Sequence, residues 1–527
     1  MKQLSSAAVA APGFYGLNTQ ESGAVLSDGF ALVASNCVID KYGRLGARKG
    51  WVQRTTTTAG LGGQNIFSIF EYLNADGTID YLSAGNNKLW RGGIGATLTD
   101  ITPSMTITDN HWQMASLKDH CLIVQKSNLP VLFSRESGSP VCTTLVAHAA
   151  HGGDYTSPVF GTGTSNAPNT CLAAYGRFWV AGSTAFPTTV FWSTDILDTH
   201  FPTFNTGGAR TSGSINIASK LPNNTDEIVA LAAHNGFLIV FCKQNIVILS
   251  EVENPRQAMA ISDVIPGVGC IARDSIQKTG NDLLFLSASG VRSLGRTIQE
   301  KSMPMRDISK NIRDDIFDAI SSTDAKLIKS AYSEKYGFYL LSFPSVASPV
   351  VYCFDLKQAL PDGASRVTSW SGYAAYAFSA NRDGSLYIGK PAGIGEYSGY
   401  QDNGVKYIFT YYTNYFDFGQ PTINKIVKKL GFVLIGGGGQ RFVSKIGFDY
   451  SNQYSSYPVF MDTGNYAEYN IAEYNIAEYS SGIVIDDVSV SVGGQGKIIQ
   501  MGFEAEVSGS PLSVQKMDIF IKQGKIY

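Results

Sequence analysis

The sequence predicts an all-β protein: a β-propeller of six or seven blades, an additional β-sandwich-like platform domain, and one short amphipathic helix. Three observations predict it. Aromatic residues make up 12% of the 527 positions and there are 55 glycines, a composition suited to strands joined by tight turns. An apolar run, a Gly/Asn/Asp turn and a second apolar run recur seven times, with starts spaced roughly 40 to 60 positions apart, the spacing of four-stranded propeller blades. Helical periodicity shows in one stretch, where Ile308, Ile312, Ile316 and Ile320 repeat every fourth residue. The predicted organisation is an N-terminal platform and hairpin segment at 1–60, the propeller with long loop insertions at 61–400, and a C-terminal β-rich platform domain at 401–527.

The chain opens on Ala11-Pro-Gly-Phe-Tyr-Gly-Leu-Asn-Thr-Gln20, then Asn36-Cys-Val-Ile-Asp40 and Gly43-Arg-Leu-Gly-Ala-Arg-Lys-Gly-Trp51. Asp40-Lys41-Tyr42-Gly43 reads as a turn, because glycine supplies positive φ and aspartate bonds its own backbone. Residues 34–39 and 44–51 then form the two arms of a hairpin. Arg44, Arg48 and Lys49 share the second arm. Such an arm is either a solvated face or a contact to a neighbouring subunit; Arg44, Arg48 and Trp51 are the candidate contact residues.

The seven repeats pair 66–72 with 81–90, 112–124 with 131–134, 171–180 with 190–193, 228–242 with 246–249, 283–287 with 291–294, 331–343 with 350–356, and 374–378 with 386–397. Two echo each other, around Asp76-Gly77-Thr78 and Asp383-Gly384-Ser385. The helix is expected to start near 308, capped by Asp307 or Ser309 after Pro304, with Asp314 and Asp315 solvated. Polar Gly/Ser-rich stretches at 147–170, 201–221 and, less clearly, 361–370 are expected as loops, since long insertions in compact β-proteins carry function or mobility. From 404 the texture changes to strands at 407–416, 426–435, 442–450, 483–492, 498–507 and 514–527. Between them lies a tandem, Tyr466-Ala-Glu-Tyr-Asn-Ile-Ala-Glu-Tyr-Asn-Ile-Ala-Glu-Tyr-Ser480, whose period of five fits neither strand nor helix. It reads as a surface loop in which Tyr469, Tyr474 and Tyr479 either dock a fibre or other partner or are a functionless expansion.

Charged residues are 16% of the chain, well under the roughly 25% of average soluble proteins, which suggests surface buried against partners. The formal net charge of −2 argues against a protein that grips nucleic-acid phosphates, but not against a tube through which DNA slides. Seven scattered cysteines without a C-x-x-C pair read as buried free thiols made in a reducing cytosol. The N-terminus lacks the apolar core of a signal peptide, and no apolar run reaches the roughly 18 residues of a membrane span. There is no phosphate-binding G-x-x-x-x-G-K loop, no G-x-S-x-G elbow and no H-E-x-x-H. His148 and His151 form the one close histidine pair, without a carboxylate or cysteine placed to complete a metal site, and Gly161-Thr-Gly163 is too short for a dinucleotide fingerprint. No cofactor, metal or catalytic set is expected. The competing reading is a propeller-type glycan-binding or glycan-hydrolysing protein, because propellers host such sites and residues 379–387 are similar to an Asp-box turn.

The motif at 11–51 resembles the N-terminus of the tail nozzle proteins of short-tailed bacteriophages (podoviruses), also called tail tubular protein B or packaged-DNA stabilisation proteins. Tyr411-Tyr-Thr-Asn-Tyr-Phe-Asp-Phe-Gly419 is similar, less specifically, to the C-terminal region of that family. The resemblance implies a structural virion protein, not an enzyme: a propeller with a platform formed by N- and C-terminal segments. It implies a homo-hexamer below the head-to-tail adaptor, with tail fibres or tailspikes as further partners and double-stranded DNA passing through without sequence-specific binding. Such a ring would be assembled in the host bacterial cytoplasm, reside in the virion tail, retain packaged DNA and gate its ejection. The insertions at 147–170 and 201–221 are the candidates for the gate.

Overall fold

A computed structural model of the chain describes all residues except 1–4, 57–59, 75, 136–138, 146–163, 196–203, 205–211, 223–225, 281, 301–306, 345–347, 452, 460, 462–484 and 525–527. Each of the seven sequence repeats becomes one propeller blade. Six blades have four strands and one has three. Their innermost strands are Ser68–Leu73, Gln113–Leu117, Thr170–Ala174, Ile228–His234, Gln277–Thr279, Lys329–Ser333 and Ala377–Ala380, and the chain meanders outward from each in antiparallel steps. Blade 5, Gln277–Ser293, is the three-stranded one.

Long apolar runs that read as single strands are hairpins. The 228–242 run turns at Asn235 and Gly236, both at positive φ (49° and 81°), so that His234 pairs with Phe237. Two consecutive left-handed residues make the two-residue turn whose twist matches a hairpin. The echo between the two Asp-Gly segments is real structure. Asp76 and Asp383 each accept the amide two residues on, at 2.8 Å, in the first hairpins of blades 1 and 7. The stretch at 361–370, expected as a loop, is a tight turn followed by the Ser365–Ser371 strand of blade 6; Trp370 in it is fully buried.

Blade 7 is completed by the N-terminal segment. Val52 and Gln53 pair with Glu396 and Gly395, so a strand from one end of the propeller's sequence closes the ring on its other end. Blade 6 is not a free sheet either. Its outer strand runs on through Gly16–Leu17, Phe30–Ser35, Tyr407–Thr413, Ile499–Val507, Phe442–Phe448 and Ser455–Val459 as one ten-stranded sheet.

Against the far part of that sheet packs a seven-stranded one in the order Ile485–Ser491, Lys425–Gly436, Leu512–Gln523, Leu45–Ala47, Cys37–Ile39. Ser5–Ala10 also pairs Leu512–Gln523, and Gln495–Gly496 pairs Lys425–Gly436. Leu430, Phe432 and Leu434 of one sheet meet Phe442, Met501 and Phe503 of the other, with the Phe432 and Phe442 rings 5.2 Å apart. The platform is therefore a β-sandwich, and all six strands expected after 404 belong to it. It is not a separate C-terminal unit, because residues 5–47 contribute five of its strands. Strand pairing across hundreds of residues leaves no local mark in a sequence.

The expected helix spans Arg313–Ser322 and follows a 3₁₀ turn at Lys310–Ile312. Ile308, Ile312 and Ile316 are buried in the core that the propeller and platform share, and Ile320 is half-buried against it. Neither expected cap acts as one: Ser309 accepts the Val291 amide at 2.9 Å, and Asp307 faces Arg292. Both side chains are directed at the third strand of blade 5, Ser309 by a hydrogen bond and Asp307 by an ion pair. Asp314 is exposed, but Asp315 accepts the Thr19 hydroxyl at 2.7 Å. A second helix, Leu294–Glu300, was not legible from periodicity because seven residues span too few turns.

Candidate functional site

The N-terminal hairpin forms as its residues dictate. Asp40 accepts the amides of Tyr42 and Arg44 at 2.8 and 2.9 Å, and Gly43 takes φ 73°. Cys37–Ile39 then pairs with Leu45–Ala47. The second arm runs on to a junction where platform, blade 6 and blade 7 meet.

Arg48 is the centre of that junction, and it is 1% exposed. Its guanidinium donates to both carboxylate oxygens of Asp402 at 2.8 and 2.7 Å, to Asn36 Oδ1 at 2.9 Å and to the Lys49 carbonyl at 3.0 Å. The rings of Tyr373 and Tyr407 flank it at 4.5 and 4.0 Å. Burial alone would lower its pKa; the hydrogen bond and charge of Asp402 outweigh burial and raise it. Arg48 is thus neither a solvated face nor a surface contact, because its donors are used inside the chain. Arg44 and Trp51 are partly exposed. Arg44 lies 4.4 Å from the Tyr42 ring centroid. Trp51 lies over Gly395, where a Cβ would fall 2.6 Å from the indole, and its backbone bonds Gln401 and Asn403.

Beside Arg48 sits Lys390, 4% exposed, donating to the Ala374 carbonyl at 2.6 Å with its ammonium 3.9 Å from the Tyr373 ring centroid. Burial pushes its pKa down to about 7, with Asp402 opposing and Arg48 adding to the fall.

A second polar cluster occupies the propeller axis. Three cavities of about 380, 360 and 490 Å³ meet there, and Arg273 lines all three. Arg273, just before blade 5, donates to the Asn169 carbonyl ahead of blade 3 at 2.6 Å and the His111 carbonyl ahead of blade 2 at 3.0 Å. Asp274 accepts from Arg273 at 2.8 and 3.1 Å and from Lys329 of blade 6. Burial raises the Asp274 carboxyl, but the charges of Arg273 and Lys329 outweigh it and hold it well below the usual carboxylate range. Burial likewise lowers the Lys329 ammonium, with Asp274 opposing. Asp109 binds His111 Nδ1 and, at 3.2 Å, Lys326, and it too is held low: burial raises it, and the His111 bond outweighs that. These bonds tie blades 2, 3, 5 and 6 across the axis and leave it crossed by a side chain.

Tyr469, Tyr474, Tyr479, His148, His151, Gly161 and Pro304 lie outside the described residues, as do 147–163 of the first insertion and 201–203 and 205–211 of the second. The rest of 201–221, expected as a loop, includes Gly213–Asn216, the outer strand of blade 3, which pairs with Thr189–Trp192. Among the described residues no group of three His, Cys, Asp or Glu side chains could hold a metal ion. Six of the seven cysteines are buried and Cys142 is half-buried; none is in a disulfide. No described helix is long and apolar enough to cross a membrane. The Asp402, Tyr373 and Tyr407 partners of Arg48, and the Lys329 partner of the adjacent Arg273–Asp274 pair, escaped sequence reading: each is hundreds or tens of residues away, with no spacing motif.

No family model and no curated protein sequence matches the chain. Among solved structures it is similar to the computationally designed protein Ika8, at 12% identity and a TM-score of 0.34 over 65% of this chain and 98% of that one. It is also similar to the extracellular domain of a B. thetaiotaomicron protein assigned to the one-component systems, at 12% identity and a TM-score of 0.41, over 82% of this chain and 58% of that one. A third is the WD40 domain of Neurospora crassa Pan2, at 9% identity and a TM-score of 0.39, over 66% and 95%. Likenesses at this level say nothing of what the chain binds or does.

Proposed function

We propose that the chain is the nozzle subunit of a short bacteriophage tail, in which a homo-hexameric ring below the head-to-tail adaptor continues the DNA channel, retains packaged DNA and gates its ejection. One observation carries this reading. The segment with the nozzle-like motif, residues 11–51, leads directly into the strand that closes the propeller and itself supplies platform strands, so the motif residues build the joint between the two parts that the resemblance implies. In this reading the DNA path runs between subunits. Arg273 bridges the propeller's own axis, and a duplex has no room there. Tail fibres or tailspikes dock on the outside, and the ring resides in the virion tail after assembly in the host cytoplasm.

The test is assembly of the purified chain with adaptor and tail components, read by mass measurement and electron microscopy. A six-fold ring with a central hole, alone or on the adaptor, is the expected result. A chain that binds no tail component but cleaves a bacterial surface glycan would overturn the proposal. Against that second reading, three of the four carboxylates that line the axial cavities, Asp274, Asp109 and Glu227, are held below the usual carboxylate range by their bonded partners. A glycosidase needs one carboxyl raised to act as an acid. The Asp-box-like turn at Asp383 has its carboxylate engaged by Ser385, as a turn brace.

A further inference from the structure

The seven-stranded platform sheet leaves two strands with an unpaired edge on opposite sides of its Lys425–Gly436 and Leu512–Gln523 centre: Ile485–Ser491 at one end, and Ser5–Ala10, which branches from Leu512–Gln523 beside Leu45–Ala47. Among the described residues, Ile485–Ser491 pairs only with Lys425–Gly436, and Ser5–Ala10 pairs only with Leu512–Gln523. We infer that these two edges are made for each other in different copies of the chain, the Ile485–Ser491 edge of one copy adding the Ser5–Ala10 strand of the next to form a continuous sheet.

Direction supports it. Ile485–Ser491 is antiparallel to Lys425–Gly436, which is antiparallel to Leu512–Gln523, which is antiparallel to Ser5–Ala10. The two outer strands therefore run oppositely, and a second copy set beside the first in the same orientation meets it with the antiparallel pairing the sheet already uses. Protection is slight: the Ser5–Ala10 edge carries no charge, and the Ile485–Ser491 edge carries only Asp486 and Asp487, at its start. Neither Ser-Ser-Ala-Ala-Val-Ala nor Ile-Asp-Asp-Val-Ser-Val-Ser contains proline, lysine or glycine, and both registers run without a bulge. A monomer normally blunts such edges, as Pro458 does on the neighbouring Ser455–Val459 edge. The faces also match. Val488 and Val490 on one edge, and Ala7 and Val9 on the other, lie against the same core, so a joined sheet carries the apolar layer from copy to copy. On the other face Ser6, Ala8, Asp487, Ser489 and Ser491 are exposed, and the small side chains of the Ser5–Ala10 strand let a neighbour approach. The contact joins two different edges, so it propagates head to tail and closes into a ring if the rotation per copy allows. Closure into a ring rests on the nozzle reading; the pairing itself does not.

The experiment uses the full chain. Sedimentation and electron microscopy over a concentration series give the wild-type assembly. Ala8→Cys is then combined in turn with Asp487→Cys, Ser489→Cys and Ser491→Cys, which brackets the register. Mild oxidation is expected to link at least one pair into a ladder of copies that no single variant gives. Consecutive residues of an edge strand point their amides to opposite sides, so one of Ser489→Pro and Val490→Pro removes only an outward donor. That variant should keep the wild-type melting temperature and need on the order of ten-fold more protein to assemble. A wild type that stays monomeric throughout, the absence of any ladder, or assembly unchanged in both proline variants overturns the inference. A six-fold ring that persists in both proline variants sinks the edge pairing and leaves the nozzle reading standing. Assembly that fails in the outward variant, by a chain that engages no adaptor, does the reverse.

Discussion

At the scale of single residues, the Arg48 and Lys390 cluster sets the chemistry of the junction. Breaking a buried ion pair leaves an uncompensated charge, so Arg48→Ala should cost about 3 kcal/mol of unfolding free energy in denaturant titration. The value sits at the low end for buried pairs because Asp402 retains 23% exposure. Arg48→Lys should recover little, since an ammonium cannot reproduce the two-oxygen fork between two rings. Replacing both partners, as Arg48→Met with Asp402→Leu, should be milder than Arg48→Ala alone; a double variant as damaged as the single would refute the ion-pair account. Lys390 makes stability depend on pH. Its folded pKa of about 7 lies below the roughly 10.4 of an unfolded lysine. Between those values the unfolded chain binds the extra proton, so the lysine's penalty is complete below pH 7 and is relieved as pH rises toward 10. Buried thiols push the other way above their usual range, since folding raises their pKa. The comparison with Lys390→Met cancels them. That variant's advantage over the wild type should shrink with rising pH by up to about 1.4 kcal/mol per unit, starting near pH 7. A pH-independent difference would mean the ammonium is not desolvated.

At the scale of elements, the seams matter more than the blades. Gly16 lies in the short strand that joins blade 6 to the platform, at φ 83°, and a Cβ there would sit 2.3 Å from the Val367 carbonyl. Gly16→Ala combines left-handed strain with a backbone clash and should lower stability by at least about 2 kcal/mol, measured by thermal melting. Gly236→Ala also sits at positive φ, but in open space at a hairpin tip, and should cost only about 1 kcal/mol. Equal losses at the two sites would show that the seam is not a stressed point. The blades themselves were legible. Apolar runs, Asn-Gly and Asp-Gly turns and even spacing are local signals that survive in sequence. The seams were not, because Gly16 pairs Val367 and Val52 pairs Glu396 across more than three hundred residues. The same holds for Arg48: its charge made it look like surface, and only Asp402, Tyr373 and Tyr407 turn it inward.

At the scale of the whole molecule, propeller and platform share one ten-stranded sheet and one hydrophobic core that runs from Tyr339 of blade 6 to Phe503 of the sandwich. Heating should therefore give a single calorimetric transition; two well-separated transitions would contradict a shared core. Sequence by itself determined the all-β class, the seven repeats, the Asp40 turn, the Arg313–Ser322 helix face and the strands after 404. Each of these is written in residues close together along the chain. The resemblance implied a platform shared by N- and C-terminal segments; tertiary structure alone decided that Val52–Gln53 closes the ring, which partners the strands of residues 5–47 take in the sandwich, that Arg48 is interior, and that Arg273 crosses the propeller axis. The reason is physical: strand pairing and burial of charge depend on which distant segments meet, and a hydrogen bond between residues hundreds of positions apart imposes no pattern on either.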